Sequence, residues 1–255
     1  MLLTIDVGNT NITFAIFKNK EIIADWRIST LSNRTSDEYA ALLTPLFTEK
    51  ELEFKQIDGV AISCVVPSTL EALVRFSNKH LQVEKPVVLS HDLKLPMAIK
   101  YFPVTDVGAD RIANAIAAHA KYGGKIIVVD FGTATTLDAV DEDGNYLGGA
   151  IAPGIQISLE ALFSRAARLT GVELTSPEKA IGDTTSSSLR SGIIFGFAGQ
   201  VDALVERFEE EMGKDVTVIA TGGLAEIISK YSKKIKYQDD LLTLEGLRLI
   251  YENSK

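Results

Sequence analysis

The sequence predicts an α/β protein of two like units, each a mixed β-sheet carrying helices. Residues 2–17, LLTIDVGNTNITFAIF, read as two short strands bent around an aspartate and a glycine. The segment IIVVDFGTATTLDAV at 126–140 repeats that grammar. Each hairpin is followed by a third apolar strand and then by segments of helical period. A single hairpin with D-x-G at its bend is commonplace, but two with matching downstream strands point to a duplication. Laying Asp130 on Asp6 puts Gly132 on Gly8, Ala139 on Ala15 and Val140 on Ile16, a constant offset of 124 positions.

In the first bend Gly8 and Asn9 are expected to supply the positive φ angles of a tight hairpin, leaving successive N–H groups turned outward as an anion site. Lys18-Asn19-Lys20 turns the chain into EIIADWRIST, the third strand of a meander. Ser36 reads as an N-cap, with Asp37 and Glu38 in the first turn and Tyr39, Leu42, Leu43 and Leu46 on one face. IDGVAISCVVP is a continuous apolar strand of the doubly buried kind. Pro67 and Ser68 open a second helix ending near His80, and PVVLS gives a fifth strand. Residues 95–107 are irregular, after which GADRIANAIAAHAKYGG forms an alanine-rich helix closed by glycines. The chain divides here, into 1–122 and 123–255. The second unit repeats the meander at 125–130, 134–140 and YLGGAIAP, followed by a helix through IAPGIQISLEALFSRAARL. After the polar, turn-rich ELTSPEKAIGDTT comes a long helix with Gly192, Gly196 and Gly199 along one stripe. Such a stripe signals a backbone packing close, from a second subunit or from the same chain. VTVIATGG is a strand and turn, LAEIISKY a helix, and DDLLTLEGLRLIYEN an amphipathic last helix.

Composition narrows the function. The chain has 255 residues, 46% of them hydrophobic, enough for one large core or two modest ones. A net charge of −8 argues against the basic surface of a nucleic-acid binder. The lone cysteine, Cys64, precludes an intrachain disulfide and reads as a small core residue. MLLTIDVGN lacks the basic start of a signal peptide, and no apolar run reaches membrane-spanning length, so a cytoplasmic protein without membrane partners is expected.

The Walker A spacing, G-x-G-x-x-G, H-E-x-x-H and G-x-S-x-G are all absent. His80 and His119 sit in helical contexts where packing or solvation is the default. Gly108-Ala109-Asp110-Arg111 is more informative. A first-turn aspartate is favoured as a carboxylate by the helix dipole and free N–H groups, so Asp110 is expected to be ionised. It is either an ordinary helix-terminal acid or, beside a substrate hydroxyl, a general base. Arg111 could hold a substrate carboxylate through two hydrogen bonds.

The paired bends resemble the phosphate-binding hairpins of the acetate and sugar kinase, Hsp70 and actin superfamily, whose two RNase H-like domains clasp ATP between them. More specifically, the chain resembles the type III pantothenate kinases nearly end to end. The likeness rests on DVGNTN (6–11), ISCVVP (62–67), Tyr101 seven positions before GADR (108–111), DFGTATT (130–136), GGAIAPG (148–154), IGDTTSSSLRSG (181–192) and TGG (221–223). Two departures are Cys64 where serine is usual and Leu169-Thr170 where Leu-Pro is common. The resemblance implies a duplicated actin-like ATPase fold with an interdomain ATP cleft and ATP-dependent phosphorylation of pantothenate, the first step of coenzyme A synthesis. Around the phosphates it implies Asp6, Val7, Gly8, Asn9, Thr10, Asn11, Ile12, Thr13 and Thr133, with Asp6 helping to place Mg2+. Gly222 and Gly223 would let adenosine approach the backbone, and Asp130 would hold K+ or NH4+; without the family it reads as a turn aspartate. Tyr101 and Gly108, Ala109, Asp110 and Arg111 would hold pantothenate, with Asp110 as base. Thr185 would reach the substrate from a partner subunit, making the protein a homodimer with no nucleic-acid partner. Competing expectations are another small-molecule kinase of the superfamily and a non-catalytic transcription accessory factor.

Overall fold

The computed structural model describes residues 1–165 and 171–255. The end of the helix expected through ARL, and the Leu169-Thr170 departure, lie outside the described residues. Two compact units result: residues 1–98, 102–117 and 242–255 form the first, and 99–101 with 118–241 the second.

In the first unit β1 (Leu2–Val7), β2 (Asn11–Lys18) and β3 (Glu21–Ser29) form an antiparallel meander. β4 (Gly59–Cys64) runs parallel to β1 on its other side and β5 (Val87–Val88) extends the sheet, giving the order β3-β2-β1-β4-β5. Helices α1 (Ser36–Glu49) and α2 (Pro67–His80) bury Tyr39, Leu43, Phe47, Leu73 and Phe76 with Ile5, Phe14 and Ile62. The N-cap of α1 is Thr35 rather than Ser36: its hydroxyl accepts from Glu38 N while the Glu38 carboxylate accepts from Thr35 N, a capping box. Pro67 is the first residue of α2, where its missing N–H leaves no orphan. α3 (Ala109–Tyr122) begins in this unit, and Gly123 and Gly124 at positive φ end it.

The second unit repeats the plan. β6 (Lys125–Phe131), β7 (Ala134–Val140) and β8 (Tyr146–Pro153) are the meander, β9 (Val216–Thr221) lies parallel to β6, and β10 (Tyr237–Gln238) completes the order β10-β9-β6-β7-β8. Between them run α4 (Ile155–Arg165), α5 (Thr185–Met212) and α6 (Ala225–Ser229). Val129, Leu137, Ile194, Val201 and Ile219 are fully buried here. This is an α/β protein of two like, RNase H-like units, each a mixed sheet carrying helices.

The duplication extends to detail. Ile5 pairs with Phe14 and Val129 with Leu137, and all four are fully buried. The offset of 124 therefore holds only up to the bend: Leu137 follows Phe14 by 123 positions, because the second bend is one residue shorter. Ala139 consequently matches Ile16, not Ala15; with a period of two, that slip would have put every side chain on the wrong face. Both meanders carry a register irregularity at the same place, Ile16/Phe17 and Ala139/Val140.

The last helix, α7 (Leu242–Asn253), departs from a division at residue 122, because it packs on β1, β2 and β4 of the first unit. Gly246 makes that possible beside α3: a Cβ there would lie 2.0 Å from Ala113 O. Thr243 Oγ1 donates to Asn114 Oδ1 at 2.7 Å across the same crossing.

Candidate functional site

The first bend closes through Gly8 N donating to Asn11 O at 3.0 Å. Neither Gly8 nor Asn9 has a positive φ, contrary to the expectation for a tight hairpin turn. Glycine eases the closure: a Cβ at Gly8 would sit 3.2 Å from Asn11 O, close enough that the bend would have to give by a few tenths of an ångström. Just beyond β3, Thr30 Oγ1 donates to Gly8 O at 2.7 Å and Thr30 N to Thr10 O at 2.9 Å.

Asp6 sits at the end of β1, across from Thr13 on β2 and Ser63 on β4. Asp6 Oδ1 and Ser63 Oγ are both buried without completing a hydrogen bond. Burial, and then the charge of Asp110, push the Asp6 carboxyl from its ordinary 3.8 to about 7, with Ser63 and Arg27 pulling the other way. The Asp110 charge thus acts on Asp6 within one unit, although 104 positions separate them. Cys64 belongs to the same surroundings: its thiol donates to Val66 O, and burial followed by the Asp6 charge raises it.

At the tip of α3, Asp110 Oδ1 accepts from Arg111 N at 2.8 Å. Burial pushes the Asp110 carboxyl up, against the lowering by that backbone bond and the Arg111 charge. Desolvation thus works against the helix terminus that favours the carboxylate. Gly108 leaves the space this carboxylate fills, since a Cβ would lie 2.5 Å from Asp110 Oδ1. Arg111 itself is buried, only 8% exposed.

In the second unit Asp130 faces Thr136 on β7 and Thr221 on β9, as Asp6 faces Thr13 and Ser63. Gly222 follows Thr221 at φ +92°, and a Cβ there would lie 2.4 Å from Asp130 Oδ1 and 2.7 Å from the Phe131 carbonyl carbon. The first need for this glycine is thus its own chain. Thr133, in the bend, lies against Gly154, whose Cβ would be 2.0 Å from Thr133 O. The Tyr101 ring covers Gly148, which has φ +128°, and meets Tyr146 edge-on with centroids 6.4 Å apart. Thr185 is exposed at the start of α5 behind the Thr184–Ser187 capping box.

So Asp6, Gly8, Thr10, Gly108, Asp110 and Arg111 belong to the first unit, and Tyr101, Asp130, Thr133, Thr185 and Gly222 to the second. The family model for type III pantothenate kinases matches residues 2–207. The chain belongs to that family. It is 49% identical to a type III pantothenate kinase of Syntrophus aciditrophicus (strain SB) over 254 residues, covering 100% of both. Like its family, this type III enzyme phosphorylates pantothenate with ATP in coenzyme A biosynthesis. Two solved structures share the fold. One, from Campylobacter jejuni and described as a Baf family transcriptional activator, has TM-score 0.57 at 20% identity over 98% of each chain. The other, an activator of 2-hydroxyisocaproyl-CoA dehydratase from Clostridium difficile with bound ADPNP, has TM-score 0.56 at 14% identity over 99% of this chain and 93% of that one.

Sequence reasoning did not single out Thr30, Ser63 or Gly154. The signal for Ser63 was present, as the hydroxyl residue opposite Asp6 that Thr221 repeats opposite Asp130. Thr30 and Gly154 become comparable only once the one-residue difference between the bends is known.

Proposed function

We propose that Asp110 is the general base of this pantothenate kinase and that Asp6 to Thr13 and Thr133 contact the ATP phosphates. The observation that carries the reading is the Asp6–Asp110 pair: two desolvated carboxyls, one at a strand end beside a backbone bend and one at a helix tip whose charge acts on the first. A carboxylate with raised proton affinity is the better acceptor for a hydroxyl proton, and its proximity to the bend suits in-line attack on a phosphoryl group. Asp110 takes the proton from the pantothenate hydroxyl as its oxygen attacks the γ-phosphorus, the bond to the ADP oxygen breaks, and ADP leaves. Gly108, Ala109, Arg111 and Tyr101 hold pantothenate, the Arg111 guanidinium facing its carboxylate. Gly222 and Gly223 give the adenosine side its close backbone approach.

Asp6 suits Mg2+, which takes one or two carboxylates beside substrate phosphates: its buried Oδ1 has no hydrogen-bond partner. No group of three or more His, Cys, Asp or Glu residues among the described residues forms a metal cluster, which fits an ion carried by the nucleotide. Bound there, Mg2+ neutralises phosphate charge. Asp130, its Oδ1 bordered by Gly132 and Gly222, suits K+ or NH4+.

The functional unit is a homodimer in which Thr185 reaches the partner's substrate. Gly192, Gly196 and Gly199 support this, being exposed with open space among the described residues where a Cβ would project. The protein acts in the cytoplasm; among the described residues no helix is long and apolar enough to cross a membrane. The test is ADP release with ATP, Mg2+ and K+ over a panel of small alcohols and acids. Pantothenate is expected to be the best substrate, and equal turnover with a sugar would overturn the assignment.

A further inference from the structure

We infer that Thr30 and Gly154, the residues leaving the third strand of each unit, are positioning residues that aim the two phosphate bends. This rests on the reading of those bends as phosphate sites. The two residues are structural equivalents: Asn11 pairs with Ser29 and Ala134 with Pro153, so Thr30 and Gly154 each come one step beyond a matched pair. Each then meets two carbonyls of its own bend, by different means. Thr30 donates from Oγ1 to Gly8 O and from N to Thr10 O. Gly154 does it by contact, its bare Cα seated where a Cβ would lie 2.0 Å from Thr133 O and 2.8 Å from Gly132 O.

The consequence follows from peptide geometry. A trans peptide is planar, with its C=O and the next residue's N–H pointing in opposite directions. Fixing the Gly8 and Thr10 carbonyls toward Thr30 therefore turns the Asn9 and Asn11 N–H groups away from it. Likewise, Gly132 and Thr133 carbonyls set against Gly154 turn the Thr133 and Ala134 N–H groups away from that residue. In an ordinary two-residue hairpin the carbonyl at the Gly8 position accepts from the N–H across the turn. Here it accepts from the side chain of Thr30, just beyond β3, instead. N–H groups held to one side, alternate ones at Asn9 and Asn11 and adjacent ones at Thr133 and Ala134, suit an anion, and holding them before the anion arrives removes an ordering cost from binding.

The substitution that decides is Thr30→Val, which keeps the branched shape and removes the hydroxyl, with Thr30→Ser as the conservative rescue. One neutral hydrogen bond corresponds to about 2- to 10-fold in affinity. Thr30→Val should therefore weaken ATP binding by about that factor in calorimetry and raise KM for ATP with kcat at saturation little changed. It should also speed amide exchange at residues 9–11 in the free protein, and Thr30→Ser should restore all three. Gly154→Ala is the parallel substitution in the second unit and should displace residues 132–134; if it does not fold, Thr30→Val still decides. ATP affinity and exchange at 9–11 equal to wild type in Thr30→Val would overturn the inference, and so would a fall in melting temperature with neither changed. Failure of the wild type to bind ATP would instead overturn the phosphate reading, leaving the exchange measurement to decide the clamp.

Discussion

Gly108→Ala isolates the placement of Asp110 from its chemistry. The added Cβ would lie 2.5 Å from Asp110 Oδ1, 3.7 Å from its Cγ and 3.8 Å from Arg111 Cδ, so only the carboxylate oxygen is in its way. Ordinary contact begins at 3.4 Å, so that oxygen must move by about 1 Å, a shift that a rotating carboxyl can make without disturbing the backbone. The 2.8 Å bond from Arg111 N is then stretched or lost. Losing a hydrogen bond to a charged group costs about 1.5–3 kcal/mol at most, and partial exposure of the group reduces that, so the variant should fold. Catalysis is far less tolerant, because misplacing a reacting group by about 1 Å can lower turnover roughly 100-fold. The assay is ADP release at saturating ATP and pantothenate, alongside a melting curve. We expect kcat to fall by about two orders of magnitude with a small change in melting temperature. Wild-type kcat would show that the oxygen contacted by Gly108 is not the one that accepts the proton.

Four further outcomes follow. Asp110→Asn should fold normally yet lose about two to four orders of magnitude in turnover, read as pantothenate-dependent ADP release. In metal-free buffer the folded protein keeps a proton on Asp6 up to about pH 7 that the unfolded chain releases near its ordinary 3.8. Stability should therefore fall as pH rises across that window, and Asp6→Asn should flatten the fall in melting curves taken from pH 4 to pH 8. Gly222→Ala forces a side chain into φ +92° against the Phe131 backbone, which should destabilise the protein by about 1–3 kcal/mol in denaturant titration. Gly196→Arg meets no described residue where its Cβ would project, so the protein should still fold while the mass seen by light scattering halves.

Much of the fold was legible because strand period and turn residues are local properties. Pro67 to His80 and the glycine-closed helix after Gly108 announce their own ends, and each hairpin announces its bend. The one-residue difference between the bends was not legible, since both bends begin with D-x-G and only cross-strand pairing shows where each second strand starts. The place of α7 was equally hidden: its apolar face says that it packs, while Gly246 against Ala113 says on what. At the site, motif residues named Asp6 and Asp110 separately, but the effect of the Asp110 charge on Asp6 depends on how deeply Asp6 is desolvated. Burial is a property of the assembled unit, and it pushes the Asp110 carboxyl up in a way its helix-tip position does not reveal. Thr30 was invisible for a related reason, because a threonine at a strand exit has no distinguishing chemistry until the carbonyls it meets are known.

The most direct test is a crystal structure of the protein with a non-hydrolysable ATP analogue and pantothenate. The account predicts phosphate oxygens in contact with the N–H groups of both bends and the pantothenate hydroxyl within about 3.2 Å of the Asp110 carboxylate. A triphosphate touching neither bend, or a hydroxyl directed to another base, would contradict it.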